Sequence, residues 1–299
     1  MNHFLCGWNA NRLNAIAPFS ASVVAALVTG AIAAHPASAI EVQVSPSDPE
    51  LGDTLSVVVE TTGTETEAPV VQFQDKSYTT YELRDNVYRV LLPTSPLDTP
   101  GEHALTVTGE DDQRNLAVWL KNREFPTQSI WLPPDQETDI SDYEYNIVDA
   151  FKALVTPEKF WNGAFLRPTN GDVSTIYGIR RYYNGEFAED YYHRGVDYAA
   201  STGTPVVAPA AGRIALVGYE ADGFVIHGNV VGIDHGQGVL SILMHLNSIS
   251  VQEGDMVEAG QQIGTVGATG MSTGPHLHWG LYVQGVAVDP VPWRYEGFE

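Results

Sequence analysis

Cysteine occurs once in the 299 residues, at Cys6, and basic residues are scarce, with 15 Lys and Arg against 37 Asp and Glu. The single thiol excludes an internal disulfide, a multi-cysteine zinc site and an iron–sulfur cluster. Any metal must therefore be held by histidine and carboxylate. The formal charge of −22 argues against a nucleic-acid partner, because phosphate backbones are held by clustered Lys and Arg. It equally disfavours docking on an anionic membrane. Long helical periodicity is also nearly absent. What is present is 43% hydrophobic residues, ample for packed cores, over a length that suggests roughly two domains.

Acidic residues are missing altogether from residues 1–39, which carry one Arg, Arg12. An apolar stretch runs from Ala15 to Ala34, and Ala37-Ser38-Ala39 follows. A short basic start, an apolar run and an A-x-A site describe a cleavable signal peptide. Retention as an uncleaved anchor is the alternative, since about twenty apolar residues can span a bilayer. Cleavage near Ala39 predicts an extracytoplasmic chain, in the periplasm, the cell envelope or the medium, with no membrane span and no cysteine.

Residues 40–125 are a run of strand signals at Glu41–Ser45, Thr54–Thr61, Pro69–Gln74, Asn86–Leu92, His103–Gly109 and Asn115–Lys121. Each is rich in Val, Leu, Tyr or Thr and bounded by Gly, Pro, Asp or Asn. Leu105 and Val107 alternate with Thr106 and Thr108, the period of a half-buried strand. The pattern predicts an immunoglobulin-like β-sandwich serving as a spacer or binding module. Residues 126–165 read as an acidic, Pro-containing linker. Six acids and no base lie between Asp135 and Asp149, with a short helix expected over Asn146–Leu154. The acids read as a solvated connector, the alternative being a segment that covers a cleft. Strand signals return over 166–299, at Thr204–Val207, Gly212–Tyr219, Val230–Asp234, Val239–His245, Gln262–Val266 and His276–Val283. The fold class expected is therefore all-β in both halves.

Six of the nine histidines fall between 193 and 278. His193 and Asp197 stand four apart. His276 and His278 stand two apart, which on a strand puts both on one face. His245 ends an apolar strand. Zinc suits such a set, because imidazole and carboxylate are both good ligands and a catalytic site keeps three of them, leaving room for water. The metal lowers the pKa of that water to about 7, and spare histidines act as general acid or base. Each pair alone is a weak signal; their ordered combination is specific.

The C-terminal segment, roughly residues 166–290, resembles the LytM-type (M23, lysostaphin-like) zinc metallopeptidases. The resemblance rests on His193-Arg-Gly-Val-Asp-Tyr-Ala, Pro205-Val-Val-Ala-Pro-Ala-Ala-Gly-Arg-Ile, Met244-His-Leu, Gly254-Asp-Met-Val-Glu-Ala-Gly-Gln and Ser272-Thr-Gly-Pro-His-Leu-His. It implies a mostly antiparallel, barrel-like β-sheet domain. It also implies one Zn2+ held by His193, Asp197 and His278, with His245 and His276 as unligated catalytic histidines. The implied substrates are peptide bonds in peptidoglycan stems or cross-bridges. One departure is visible: the usual Y-x-H-L segment reads Leu243-Met244-His245-Leu246.

Three other readings compete. A biotinyl- or lipoyl-carrier barrel shares the Val206–Ile214 and Glu253–Gly264 patterns but needs a lysine, and the last lysine is Lys159. Gly270-Met-Ser-Thr-Gly274 fits the serine-hydrolase motif G-x-S-x-G, but Pro275 and a strand follow where that motif needs a helix. The third is a zinc-holding but non-catalytic peptidoglycan-binding regulator of other wall hydrolases. His235 reads as structural, and His227 as a candidate neighbour of the cleft.

Overall fold

The computed structural model describes residues 40–62, 67–110, 112–131 and 140–298. The expected signal segment, 1–39, lies outside these residues, as do the first acids of the connector. Among the described residues, no helix is long and apolar enough to cross a membrane.

The N-terminal half holds two four-stranded antiparallel sheets. One runs in the order Ile40–Ser45, Thr54–Thr61, Val87–Pro93, Tyr81–Arg84; the other in the order Lys76–Thr79, Val70–Phe73, Gly101–Thr108, Gln113–Leu120. Alternation decides which side chains meet between them. Leu105 and Val107 turn inward, where Leu55, Val57, Val59, Val71, Phe73 and Leu120 join one buried cluster. The sandwich and six of its strands were legible in the sequence. Lys76–Thr79 and Tyr81–Arg84 were not, because their four residues carry only one or two inward apolar side chains.

The C-terminal half is built on an antiparallel sheet ordered Asp172–Thr175, Val196–Ala199, His276–Val283, Val239–Met244, Val230–Gly236, Gly212–Gly218, Met256–Val257. Val286–Val288 turns back onto His276–Val283. The three middle strands are buried almost throughout, so they read as near-continuous apolar runs rather than alternations. Two three-stranded sheets flank them. One joins Pro205–Val207, Gln262–Val266 and Leu246–Ile249; the other joins Glu186–Phe187, Arg180–Tyr183 and Thr127–Ile130.

The acidic connector departs from a solvated strap. Asp142–Lys152 forms a helix, started by Ser141, whose hydroxyl accepts from the Glu144 N–H. Glu144, Val148 and Phe151, spaced four and three apart, are its buried face, and the last two enter the core of the C-terminal half. The sandwich is docked as well. Trp293 Nε1 donates to Thr54 Oγ1 at 3.0 Å, Arg123 pairs with Asp289 at 2.8 Å, and Arg89 Nη2 donates to Gln237 Oε1 at 3.2 Å. The described residues accordingly form one compact unit.

Candidate metal centre

Strand register assembles the site. Asp197 lies directly opposite His278, Ala199 opposite His276, and Met244 opposite His278 on the other flank. Cross-strand partners share a face, so Asp197, His276, His278 and Met244 project on the same side of the sheet. Leu277 points the other way into the core, fully buried. His193 enters from the segment just before Val196–Ala199. Close packing at this junction requires Gly195: a Cβ there would lie 2.3 Å from the Trp279 carbonyl and 2.8 Å from His278 Nε2.

Three donor atoms converge. His193 Nε2 lies 3.1 Å from Asp197 Oδ1 and 3.1 Å from His278 Nδ1, and His278 Nδ1 lies 2.8 Å from Asp197 Oδ1. All three residues are buried. His193 Nδ1 is 2.8 Å from the Ile176 carbonyl, which can only accept, so Nδ1 carries the proton and Nε2 presents a lone pair. A carboxylate also presents only lone pairs. A triangle of this kind cannot be closed by hydrogen bonds on every edge, but it closes around a cation. Ligands about 2.0–2.1 Å from a tetrahedral zinc ion lie roughly 3.3 Å apart, close to the observed edges. Donor chemistry and spacing thus both fit a metal ion, and His193, Asp197 and His278 form the group able to hold one. Burial would raise the Asp197 pKa, yet the His193 and His278 rings against it hold its carboxyl far below the ordinary range.

His245 and His276 stand beside this triangle, their ring centroids 4.7 Å apart. His245 Nδ1 donates to the Thr269 carbonyl and His276 Nδ1 to the Gly274 carbonyl, both at 2.8 Å. In each the Nε2 is left with a lone pair, and that of His276 lies 3.9 Å from Asp197 Oδ1. Burial, reinforced by His276 and His278, pushes the His245 pKa down to about 3, so its ring is a neutral base. His245 also has φ +63°, a conformation bulky residues avoid unless their surroundings impose it.

All five residues read from the sequence, His193, Asp197, His245, His276 and His278, are brought together. Ser272 is not a nucleophile. Its Oγ is 3.2 Å from His276 Nδ1, but that nitrogen is committed as a donor and cannot take the hydroxyl proton. His235 is structural. Its Nδ1 donates to the Ala211 carbonyl, its Nε2 accepts from Ser241 Oγ, and burial lowers its pKa to about 4.

Sequence reasoning missed Glu144. Fully buried, it accepts from the Ile226 N–H at 3.2 Å, the His227 N–H at 2.7 Å and His227 Nδ1 at 2.7 Å. Burial would raise its pKa, but the His227 ring and the two amides overrule that and hold it below the ordinary value. The signal was Ser141-x-x-Glu144 ahead of Val148 and Phe151, a capping-box pattern whose carboxylate reaches across to a neighbouring loop.

Comparison with known proteins agrees with this geometry. Residues 191–290 match the model of peptidase family M23. Over 99 residues the chain is 46% identical to the DD-carboxypeptidase/endopeptidase Mpg of Neisseria meningitidis serogroup B, covering 33% of this chain and 22% of that protein. Over 105 residues it is 42% identical to lysostaphin of Staphylococcus simulans, covering 33% of this chain and 21% of that protein. The match thus spans about a fifth of the length of these relatives. A crystal structure of a candidate M23 peptidase from Pseudomonas aeruginosa aligns over 82% of this chain and 94% of its own, with a TM-score of 0.62 and 25% identity. The chain therefore carries a peptidase family M23 domain over residues 191–290.

Proposed function

We propose that this protein is a zinc-dependent endopeptidase that hydrolyses peptide bonds in peptidoglycan stems or cross-bridges. The observation that carries the reading is the buried triangle of His193 Nε2, Asp197 Oδ1 and His278 Nδ1 beside two histidines with uncommitted Nε2 atoms. His193, Asp197 and His278 would hold one zinc ion, which supplies a Lewis acid for the scissile carbonyl and a water of lowered pKa. His276 Nε2 takes the proton of the attacking water. From the His276–His245 pair that proton passes to the nitrogen of the leaving amine, completing cleavage of the C–N bond. The Ile176, Thr269 and Gly274 carbonyls fix three rings in the required tautomer. Met244, on the same face as His278, forms part of the wall where the substrate's side chains pass.

The rest of the chain fits this role as an immunoglobulin-like module at 40–125 and a connector at 126–165, ahead of the peptidase at 166–299. Residues 1–39 act as a signal peptide that delivers the protein outside the cytoplasm, where wall peptides are met. A regulator that only binds zinc has no use for two spare imidazoles, which favours the enzyme.

The test is incubation of the zinc-loaded protein with purified peptidoglycan, following new free amines and identifying fragments by mass. Fragments made by the wild type and absent with His276→Ala support the reading and name the bond. A silent wild type that holds zinc rejects the enzyme in favour of a binding regulator.

A further inference from the structure

The His245 main chain is held from outside its own strand. Its N–H donates to the His227 carbonyl at 3.0 Å, and the next residue, Leu246, donates to the Asn229 carbonyl at 2.9 Å. The Asn229 N–H donates to Thr269 Oγ1 at 2.9 Å, and the Thr269 carbonyl receives the His245 ring proton. The Ile226 carbonyl accepts from the Met271 N–H, on the segment that leads to His276. Loop 226–229 therefore grips His245 and the 269–271 segment together. Gly228 permits the grip: its φ is +64°, and a Cβ there would lie 2.5 Å from Thr269.

The loop itself hangs on Glu144. A single carboxylate, 0% exposed, takes the N–H groups of Ile226 and His227 and the His227 ring proton. No other hydrogen bond to the His227 ring appears among the described residues. Removing the carboxylate strands three part-buried donors, each needing a partner, and the loop must shift to find them. The left-handed conformation of His245 persists only while its surroundings over-determine it.

We propose that Glu144, on the connector helix, is a positioning residue for His245, acting through the 226–229 loop. The connector thereby belongs to the catalytic apparatus and does not merely tether it. The proposal rests on the peptidase reading for its effect on rate, but its structural half is independent of that reading.

The experiment uses the full chain with Glu144→Ala, Glu144→Gln, His227→Ala and the Glu144→Ala/His227→Ala double variant. Asp142→Ala, which removes an exposed acid from the same helix, serves as the control. Glu144→Ala is expected to lower kcat by about 10- to 100-fold with KM and zinc content unchanged, as for a displaced catalytic group. Glu144→Gln, which keeps one acceptor oxygen, recovers part of the loss. The double variant is no worse than the worse single variant, because both changes break one linkage. Nitrogen-15 NMR of the histidine rings supplies the second readout, with His245 shifted in Glu144→Ala while His193 and His235 stay in place. If the wild type hydrolyses nothing, the peptidase reading fails, and the NMR arm still decides the positioning. Wild-type kcat in folded Glu144→Ala, or unmoved His245 resonances, overturns the proposal. So does a rate loss matched by Asp142→Ala.

Discussion

Two buried histidine arrangements lie in one sheet, on strands separated by Val239–Met244, and only one is closed. At His235 every polar atom has a complementary partner: Trp279 Nε1 donates to Ser241 Oγ, Ser241 Oγ donates to His235 Nε2, and His235 Nδ1 donates to Ala211. The Phe165 ring packs against it edge-on, centroids 4.8 Å apart. Around His278 the polar atoms gather without such an order, with a carboxylate oxygen and two ring nitrogens within 3.1 Å of one another. The difference teaches what burial alone does not. Both histidines are desolvated, and burial lowers the pKa of each to about 4. A chain of donors running one way marks a group that holds the fold; a convergence of lone pairs marks a group waiting for a cation.

The sharpest way to break this comparison is to remove the hub of the open cluster. Asp197→Ala is expected to reduce zinc affinity by more than about 100-fold, beyond the usual effect of losing an outer-shell partner, and to abolish hydrolysis with it. Elemental analysis after dialysis against a chelator buffer measures the first and amine release the second. The comparison breaks if Asp197→Ala holds zinc as tightly as the wild type. Because the substitution removes a buried charge that is not part of a closed hydrogen-bonded chain, the protein itself should remain folded.

Next in size is the closed site. His235→Ala removes a fully buried ring and leaves Ser241 and the Ala211 carbonyl short of a partner each. A loss of about 2–4 kcal/mol in unfolding free energy is expected, from the cavity and the unpaired groups. Zinc content and kcat of the folded fraction stay at wild-type levels. Urea unfolding followed by tryptophan fluorescence, beside zinc analysis, checks both. A His235→Ala protein that unfolds like the wild type but loses zinc reverses the assignment of the two sites.

Much of this was written in local sequence. Period-2 alternation predicted the strand holding Leu105 and Val107, and His276-Leu-His278 predicted two rings on one face, as strand geometry demands. The convergence of His193, Asp197 and His278 could be read because they occur in short, ordered motifs. What was not legible depends on partners far along the chain. Glu144 meets His227 across 83 positions, and Trp293 meets Thr54 across 239. A run of acids looks the same whether one of them faces water or turns inward to hold a loop. Only the helix register, with Val148 and Phe151 on the Glu144 face, tells them apart. The short strands at Lys76–Thr79 and Tyr81–Arg84 escaped for a different reason: hairpin pairing with the neighbouring Val70–Phe73 and Val87–Pro93, not their own pattern, makes them strands.

The smallest effect is a difference of pH slopes, and it isolates the closed site most cleanly. His235 has a folded pKa of about 4 against about 6.5 when exposed, so on acidification the unfolded chain takes up the proton first. Its contribution is intact above pH 6.5 and is lost as pH falls towards 4, reaching about 3 kcal/mol there. His245, also held neutral by burial, acts with the same sign, but it is present in both wild type and His235→Ala and cancels in their difference. The two unfolding free energies should therefore converge between pH 6.5 and 4, with the wild type falling faster. Parallel curves across that window would mean that the His235 ring is charged in the fold. Only the link to Ser241 would then reverse, with Nε2 donating to Ser241 Oγ while Nδ1 still donates to the Ala211 carbonyl.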